Sequence, residues 1–427
     1  MNLLYKLQKI SKTSIYYILG GIIVLIFLLV NAARRGDLFI YESGAKDILA
    51  GKDAYGMTYA EGFHYFYSTL FAILIYPLTF LPVYIGNLIW LSLSTVLLFR
   101  IIILISRYFD IAALTQKQRI LFIVLSAAFS ARFVLANFHT QQITICIIYL
   151  ILEGLQLIFS GNKWAGALLI ALGINIKILP VVFLPYLLYR KEFAASFLIV
   201  VFYIAMLFLP GFVLGFAQNK ILTASWWNLL NPTNTIHNLD VDERSFHSLS
   251  TLLATLLVAK VPDQFALHIR RNIMDISYDH LVLVLNSTRL VFISFVLYFL
   301  RTKPFVSKIS KMHRYVEISY LLLLVPLIFP HQQDYAFLFI VPAVIYIIYY
   351  LITEHNSIPS RKFTILLGSM IVSYLLCNLS LILGEFRDYY DHFKILTYGA
   401  LMIVPILAIC YPLKKKEHAV LTAAHGA

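Results

Sequence analysis

Apolar residues recur in long runs with short polar breaks from residue 15 to residue 412. Runs of about 15 to 22 residues suit helices that cross the hydrocarbon core of a bilayer. The pattern predicts membrane helices at residues 15–31, 66–81, 84–106, 119–137, 141–159, 163–190 as a broken pair, 193–213, 281–300, 316–330, 334–352, 363–384 and 393–412. We therefore predict an all-α polytopic membrane protein, with one membrane-embedded domain over residues 1–427.

The composition supports this class. Hydrophobic residues make up 60% of the chain and charged residues only 13%, which is far from the composition of soluble domains. The formal net charge of +13 does not indicate a nucleic-acid partner, because Lys and Arg stand mostly at the ends of apolar runs. At such positions they contact lipid headgroups and set the orientation of the helices.

The distribution of basic residues predicts the topology. By the positive-inside rule the basic N-terminus and the basic C-terminal loops are cytoplasmic. Residues 34–64 and residues 214–280 then form two large loops on the outer face. The rule conflicts with simple helix counting at residues 107–119, whose basic residues favour the cytoplasm. Either the apolar run at 66–81 is re-entrant, or the helix count is wrong by one.

The first outer loop is predicted to contain a short helix that lies in the membrane interface. Tyr41, Ala45, Ile48 and Leu49 fall on one helical face, and Glu42, Lys46 and Asp53 on another, while Gly51 ends the helix. Asp37 stands directly before this helix, where its carboxylate can act as a general base on a sugar hydroxyl of a lipid-linked substrate. The alternatives are that Asp37 caps the helix or pairs with Arg34 or Arg35.

Two cations interrupt apolar runs. Lys177 lies three residues before Pro180 in the broken pair, and Arg132 lies inside the fourth run. A charged side chain inside a membrane segment is costly and is therefore a functional candidate. Both are candidates for binding a donor phosphate. The alternative for Lys177 is that its ammonium group extends to the interface.

The second outer loop offers a candidate acceptor pocket. Trp226, Asn228 and His247 supply an aromatic face, an amide and an imidazole there, although aromatic residues are also ordinary at membrane interfaces. The sequence contains no glycine-rich phosphate loop and no DxD-type metal motif, so we expect neither a cofactor nor a metal.

Several segments together resemble glycosyltransferase family 87. They are the pattern of Asp37, Tyr41, Ala45, Leu49, Gly51, Asp53 and Tyr55, then FHYFYSTLFAILIYPLTFLP, NFHTQQITI, GINIKILPVVFLPYLLYRKEF and IFPHQQDYAF. The chain departs from the family pattern at Thr69, where a proline is usual, at Gln141, where a glycine is usual, and in the segment DERSFHS.

The resemblance implies a GT-C-like bundle of about 11 to 13 transmembrane helices with outer-face loops. It implies an inverting transfer of a hexose, mannose in the family, from a polyprenyl-phosphate-sugar donor to a glycolipid or glycan acceptor. It assigns the general base to Asp37 and a functional histidine to His331. On the resemblance we also assign sugar or acceptor binding to Tyr41, Asp53, Tyr67, Gln141, Gln142 and Asp334.

The expected location is the inner (plasma) membrane, with the active site on the outer or periplasmic face. Two other classes remain open from the sequence. A secondary transporter would show repeated halves with paired broken helices, which the chain lacks. A flippase or polymerase of lipid-linked glycans would share the basic residues and the outer loops.

Overall fold

The computed structural model describes residues 12–59, 62–231, 246–259, 261, 266–300, 305 and 309–411. Within these residues the protein is all-helical, and the single β-type pairing is an isolated antiparallel bridge between Thr58 and His64. The predicted all-α class is confirmed.

The helices follow the predicted runs closely, and two more form within residues 214–280, which the sequence placed in the second outer loop. They are α11, with 15 residues, and α12, with 9 residues. The α-helices are α1 Lys12–Ala32, α2 Leu38–Leu49, α3 Thr69–Ile75, α4 Val83–Ser106, α5 Gln116–His139, α6 Thr144–Phe159, α7 Lys163–Ile176, α8 Phe183–Tyr189, α9 Phe193–Phe208, α10 Gly211–Leu214, α11 Phe216–Leu230, α12 Leu249–Leu257, α13 Tyr278–Leu300, α14 Lys311–Ile328, α15 Val341–Thr353, α16 Ser360–Asn378, α17 Arg387–His392 and α18 Ile395–Ile409.

Six helical segments of the described chain are long and apolar enough to cross a membrane, and a bent pair, Gly384–His392 with Ile395–Ile409, would make seven. Shorter apolar helices accompany them. The six segments are Val83–Ser106, Gln116–His139, Phe193–Leu214, Tyr278–Leu300, Asp334–Thr353 and Ser360–Leu381. These segments support a polytopic membrane protein.

The segment after the first outer loop is too short to cross a bilayer. Its α-helical part has 7 residues and its 3₁₀ continuation, Tyr76–Phe80, has 5. Together they reach about 20 Å, against a hydrocarbon core of about 30 Å. Pro77 stands at the start of the 3₁₀ turn, and Pro82 directly precedes α4. The geometry therefore favours the re-entrant alternative, which removes the conflict between charge and helix counting at residues 107–119.

The predicted broken pair is present. Helix α7 stops at Ile176, Lys177 has an extended backbone, and a 3₁₀ turn, Leu179–Val182, leads into α8. Pro180 cannot continue α7, since it lacks an N–H group and its ring excludes the preceding turn. A Cβ atom at Gly173 would lie 3.3 Å from the Pro180 ring, so the small glycine lets the chain fold back closely.

The short helix predicted within residues 34–64 corresponds to α2. Tyr41, Ala45 and Ile48 are buried on one face, as predicted, and Lys46 is exposed. The prediction was wrong for Glu42, which is buried with an exposed fraction of 8%. Its carboxylate lies beside Gly86 at the start of α4, where the positive end of the helix dipole favours an anion.

A different set of contacts lies at each of the two ends of the helical bundle. At the end that we call the cavity end, the backbone N–H of Asp37 donates to Thr140 O (2.9 Å), and that of His247 donates to Gln332 O (2.8 Å). At the opposite end the ring of Phe109 packs on Tyr315 (4.9 Å between centroids). There Lys163 also pairs with Glu192 (2.9 Å).

Candidate active site

A cavity at the cavity end brings together side chains from six separate parts of the chain. The volume that the centres of water-sized molecules can occupy is about 110 Å³. Five residues that the sequence singled out line it, namely Asp37, Tyr41, Tyr67, Lys177 and His331. The structure therefore places a carboxylate, a primary amine, two phenols and an imidazole around one space.

Asp37 enters the cavity because the chain turns sharply after α1. Its φ and ψ are −64° and −19°, and its side chain makes no capping hydrogen bond to α2. A Cβ atom at Gly36 would lie 2.7 Å from Thr140 O, so only glycine allows this close approach of the two loops. Capping is therefore not the role of the Asp37 side chain.

The two neighbouring arginines are also engaged elsewhere. The Arg34 guanidinium contacts the His139 ring (3.0 Å), and that of Arg35 lies 3.4 Å from the Phe39 ring centroid. The alternative that Asp37 serves as an ion-pair partner for either of them finds no support in this geometry.

The Gln142 side chain donates a hydrogen bond to the Asp37 carboxylate and is itself held by a short chain of hydrogen bonds from two tyrosines. Its amide nitrogen donates to Asp37 Oδ2, and its amide oxygen accepts from the Tyr41 hydroxyl (3.1 Å). The hydroxyls of Tyr41 and Tyr67 lie 3.1 Å apart, and the Tyr67 carbonyl accepts from Tyr55 (3.0 Å). Because the phenol satisfies the amide oxygen, the N–H groups of Gln142 are left to face the carboxylate.

Burial raises the pKa of Asp37 from 3.8 to about 6, while the Gln142 hydrogen bond and the charge of Lys177 act in the opposite direction. Loss of solvation disfavours the charged carboxylate more than the two neighbours favour it. A carboxyl group with a pKa near 6 is a stronger base than an ordinary aspartate and is still largely ionised at neutral pH.

Lys177 projects from the break between α7 and the following turn. Its Nζ lies 5.8 Å from the Tyr67 ring centroid and 6.0 Å from that of Tyr335, within the range of cation–π attraction. Its charge also acts on Asp37. The sequence predicted a functional cation here because Lys177 interrupts an apolar run, and the broken helix pair carries it to the cavity.

His331 adopts a left-handed backbone conformation, with φ of 55°, directly after Pro330. Such a conformation is uncommon for residues other than glycine and is found at functional sites. Its ring stacks on Phe66 (5.6 Å, 23°) and meets Phe246 edge-on (5.2 Å). The imidazole is therefore fixed between two aromatic rings at the cavity wall.

The remaining wall is largely apolar, and it shows what the sequence did not single out. Phe66 and Phe246 pack on His331. Gln332, Gln333 and Tyr335 lie in the segment IFPHQQDYAF, from which His331 and Asp334 were predicted as site residues. No periodicity marks the apolar members, although several lie in the segments that carry the family resemblance. The lining residues that are not among the predicted site residues are Ile40, Phe63, His64, Phe66, Ile178, Leu179, Leu229, Leu230, Asn231, Phe246, Phe329, Pro330, Gln332, Gln333 and Tyr335.

Two predicted site residues lie outside the cavity and contact each other. Arg132 is buried, donates to the Cys377 carbonyl and to the Tyr390 hydroxyl (3.0 Å), and lies 3.7 Å from Asp334. Asp334 is shared with Arg387, also at 3.7 Å. These contacts join α5 to α16, to α17 and to the 3₁₀ helix Asp334–Ile340 before α15, so a donor phosphate at Arg132 would have to replace existing partners.

Gln141 and Asp53 have structural contacts away from the cavity. Gln141 has φ of 55°, a conformation that glycine adopts most readily, and its side-chain amide donates to Arg34 O (3.1 Å). Asp53 accepts from the backbone of Tyr55 (3.0 Å) and from Ser225 (2.7 Å).

The candidates of the second outer loop stand around the cavity rather than on its wall. Trp226 donates to the carbonyl of the lining residue Phe66 (3.1 Å), and His247, adjacent to the lining Phe246, contacts Asp391 (3.3 Å). Asn228 is exposed on α11. Most of the segment DERSFHS falls outside the described residues.

Among the described residues, no group of three or more His, Cys, Asp and Glu side chains is arranged to hold a metal ion. The arrangement is that of a helical membrane protein with a carboxylate and a cation on one partly apolar cavity, which suits a membrane-embedded transferase. The chain matches the model of glycosyltransferase family 87 over residues 65–309, more than half of its length. It belongs to this family. The matched range includes Lys177 and Gln142, while Asp37 and His331 lie outside it. No curated protein and no solved structure is found to match the chain.

Proposed function

We propose that this glycosyltransferase moves a hexose, mannose by the family resemblance, from a polyprenyl-phosphate-sugar donor to a hydroxyl of a glycolipid or glycan acceptor. The single observation that carries the proposal is that Asp37 and Lys177 line one cavity, where the pKa of the Asp37 carboxyl is raised to about 6. The Asp37 carboxylate can accept a proton, while the Lys177 ammonium group can bind a phosphate.

Asp37 acts as the general base. It takes the proton of the acceptor hydroxyl while the hydroxyl oxygen forms a bond to the anomeric carbon of the donor. The bond between that carbon and the phosphate oxygen breaks, and polyprenyl phosphate leaves with the bonding electrons. Attack from the face opposite the leaving group inverts the anomeric centre, so a β-linked donor gives an α-linked product.

Lys177 stabilises the charge that develops on the leaving phosphate. Its ammonium group lies on the cavity wall and acts on Asp37 electrostatically. A fixed cation in a site with little water stabilises a growing negative charge more strongly than it would in bulk water. The apolar wall at Ile178, Leu179 and Leu229 supplies a surface that an isoprenoid chain can contact.

The polar groups around these two residues take different roles. His331 and Tyr67 line the cavity, where an imidazole and a phenol can bind sugar hydroxyls. Gln142 instead positions the base, because both ends of its amide are engaged with Asp37 and Tyr41.

The cavity end faces the outer side of the inner membrane in this proposal. Basic residues collect at the opposite end, at Arg107, Lys117, Arg119, Lys163, Lys191, Arg314, Arg361 and Lys362, which the positive-inside rule places in the cytoplasm. The shorter apolar helices, such as Thr144–Phe159, complete a single bundle over residues 1–427 with about 11 to 13 membrane helices, as expected for a GT-C-like fold.

The proposal is tested with purified protein, a labelled polyprenyl-phosphate-mannose donor and membrane extract as the source of acceptor. We expect Asp37→Asn to lose transfer by about 10²- to 10⁴-fold, the usual contribution of a general base. Asp47→Asn is the matched control, because Asp47 contacts Lys52 and Tyr59 rather than the cavity. Wild-type transfer by Asp37→Asn would contradict the base assignment, and transfer from a nucleotide sugar alone would contradict the donor class.

A further inference from the structure

A second group of charges lies at the cavity end, outside the cavity. Arg34, His139 and Arg387 are all exposed there. The Arg34 guanidinium lies 3.0 Å from Nδ1 and 3.3 Å from Nε2 of the His139 ring. His139 is also within electrostatic range of Arg387 and Asp334. Arg34, His139 and Arg387 form what we call the cationic cluster.

The position of Arg34 is fixed by buried amides. The Asn87 side chain donates to the Arg34 carbonyl (2.9 Å), and the Gln141 side chain donates to the same oxygen (3.1 Å). Both amides are buried, with exposed fractions of 4% and 1%. Two buried side chains thus hold the backbone from which the Arg34 guanidinium projects.

Positive charge exceeds negative charge at this place. Two carboxylates face three guanidinium groups there. Oδ2 of Asp334 lies 3.7 Å from a guanidinium nitrogen of both Arg132 and Arg387, and Oδ2 of Asp391 lies 3.7 Å from Nε of Arg387. Arg34 faces an imidazole rather than a carboxylate. Two carboxylates offset at most two of the three guanidinium groups, so the Arg34 guanidinium leaves positive charge that an anion would neutralise.

The cluster stands at the level of the lipid headgroups. Arg34 lies two residues after the end of α1, an apolar helix in which most residues between Ile18 and Val30 are exposed. Around Arg387, large apolar side chains are exposed, with exposed fractions of 78% for Ile382, 66% for Phe386 and 44% for Tyr389. Exposed aromatic residues beside basic residues are typical of the membrane–water interface.

We propose that Arg34, His139 and Arg387 bind the phosphate of an anionic lipid headgroup from the surrounding bilayer, beside the catalytic cavity. Guanidinium groups bind phosphate oxygens through paired N–H donors, and the neutral imidazole adds one further N–H. This site is independent of the sugar-transfer proposal, because none of its three residues lines the cavity.

The test is native mass spectrometry of the full-length protein in detergent, titrated with phosphatidylglycerol and, separately, with phosphatidylcholine. The double variant Arg34→Gln/Arg387→Gln is expected to bind phosphatidylglycerol about 25-fold more weakly, from about fivefold for each arginine at an anionic lipid surface. Binding of phosphatidylcholine should be unchanged. Lys52→Gln, which removes another exposed cation of the first outer loop, should bind both lipids as the wild type does.

The double variant Arg34→Lys/Arg387→Lys is the control for a general loss of structure. It keeps both positive charges and should therefore retain most of the phosphatidylglycerol binding. Unchanged phosphatidylglycerol binding by the glutamine variant would overturn the proposal, as would an equal loss for both lipids. Inorganic phosphate, measured by calorimetry without added lipid, should bind far more weakly than phosphatidylglycerol. Equal or tighter binding of inorganic phosphate would identify a site for a free anion and overturn the lipid assignment.

Discussion

The side-chain amide of Gln142 donates a hydrogen bond to the carboxylate of Asp37 and is itself held by the Tyr41 hydroxyl at 3.1 Å. This relationship links the turn after α1 to the turn between α5 and α6. It presents a hydrogen-bond donor to the ionised form of the candidate base. Gln142 therefore favours the carboxylate, against the burial that raises its pKa.

Transfer by the wild-type protein should follow the ionisation of Asp37. A base acts in its deprotonated form, so kcat/KM is expected to fall as the pH drops through the Asp37 pKa of about 6, by about tenfold per pH unit below it. Above that pKa, kcat/KM is expected to reach a plateau. The measurement is kcat/KM for a labelled donor between pH 4.5 and about 8, the range in which a carboxylate of this kind titrates. A profile that is flat down to pH 4.5 would be incompatible with Asp37 as the base.

Replacing Gln142 should shift that profile to higher pH. In Gln142→Leu the donor to the carboxylate is lost, so burial is opposed by one interaction fewer and the Asp37 pKa rises. In Gln142→Glu a second carboxylate replaces the donor, and the shift should be larger. The readout is the midpoint of the pH profile of kcat/KM, rather than activity at one pH.

Gln141→Leu is the matched control for this experiment. The neighbouring amide donates to Arg34 O and not to Asp37, so its loss is expected to leave the midpoint in place. A purely structural role for Gln142 would lower activity at every pH and would not move the midpoint.

Replacing Lys177 should weaken transfer without removing the base. Lys177→Met is expected to lower kcat by about 10²- to 10³-fold, a typical cost for loss of a group that stabilises transition-state charge. Lys177→Arg should retain more activity, because it keeps the charge. We also expect wild-type transfer to persist in excess chelator, with the ammonium group rather than a metal ion acting on the phosphate. Loss of activity in chelator that added Mg²⁺ or Mn²⁺ restores would contradict this expectation.

The local elements followed from the sequence, whereas their assembly did not. The apolar runs and Pro180 predicted the broken pair, and the spacing of Tyr41, Ala45 and Ile48 predicted α2. Helix α11 was missed because polar residues such as Gln218 and Asn219 interrupt its apolar pattern. Long-range pairs are invisible to periodicity, which reports on one element at a time.

Arg132 and Asp334 show that limit most clearly. Each is a polar residue near or inside an apolar run, and the sequence analysis predicted that each binds substrate. In the structure they lie 3.7 Å apart. A charge in a membrane segment needs a partner, and sequence alone does not show whether that partner is a substrate or another residue of the chain.

The last prediction concerns a buried ion pair at the opposite end. Arg190, which follows α8, pairs with Glu317 of α14, and each side chain is 1% exposed. Tyr186 donates to the same carboxylate (2.8 Å), and His313 lies 3.0 Å from it. Removing one partner of a buried pair leaves an uncompensated charge, so Glu317→Gln should destabilise the protein by about 3–5 kcal/mol. The double variant Arg190→Met/Glu317→Leu, which removes both charges, should lose much less. Thermal unfolding in detergent measures both. Equal destabilisation by the single and double variants would show that the Arg190 guanidinium does not depend on Glu317 for its charge compensation.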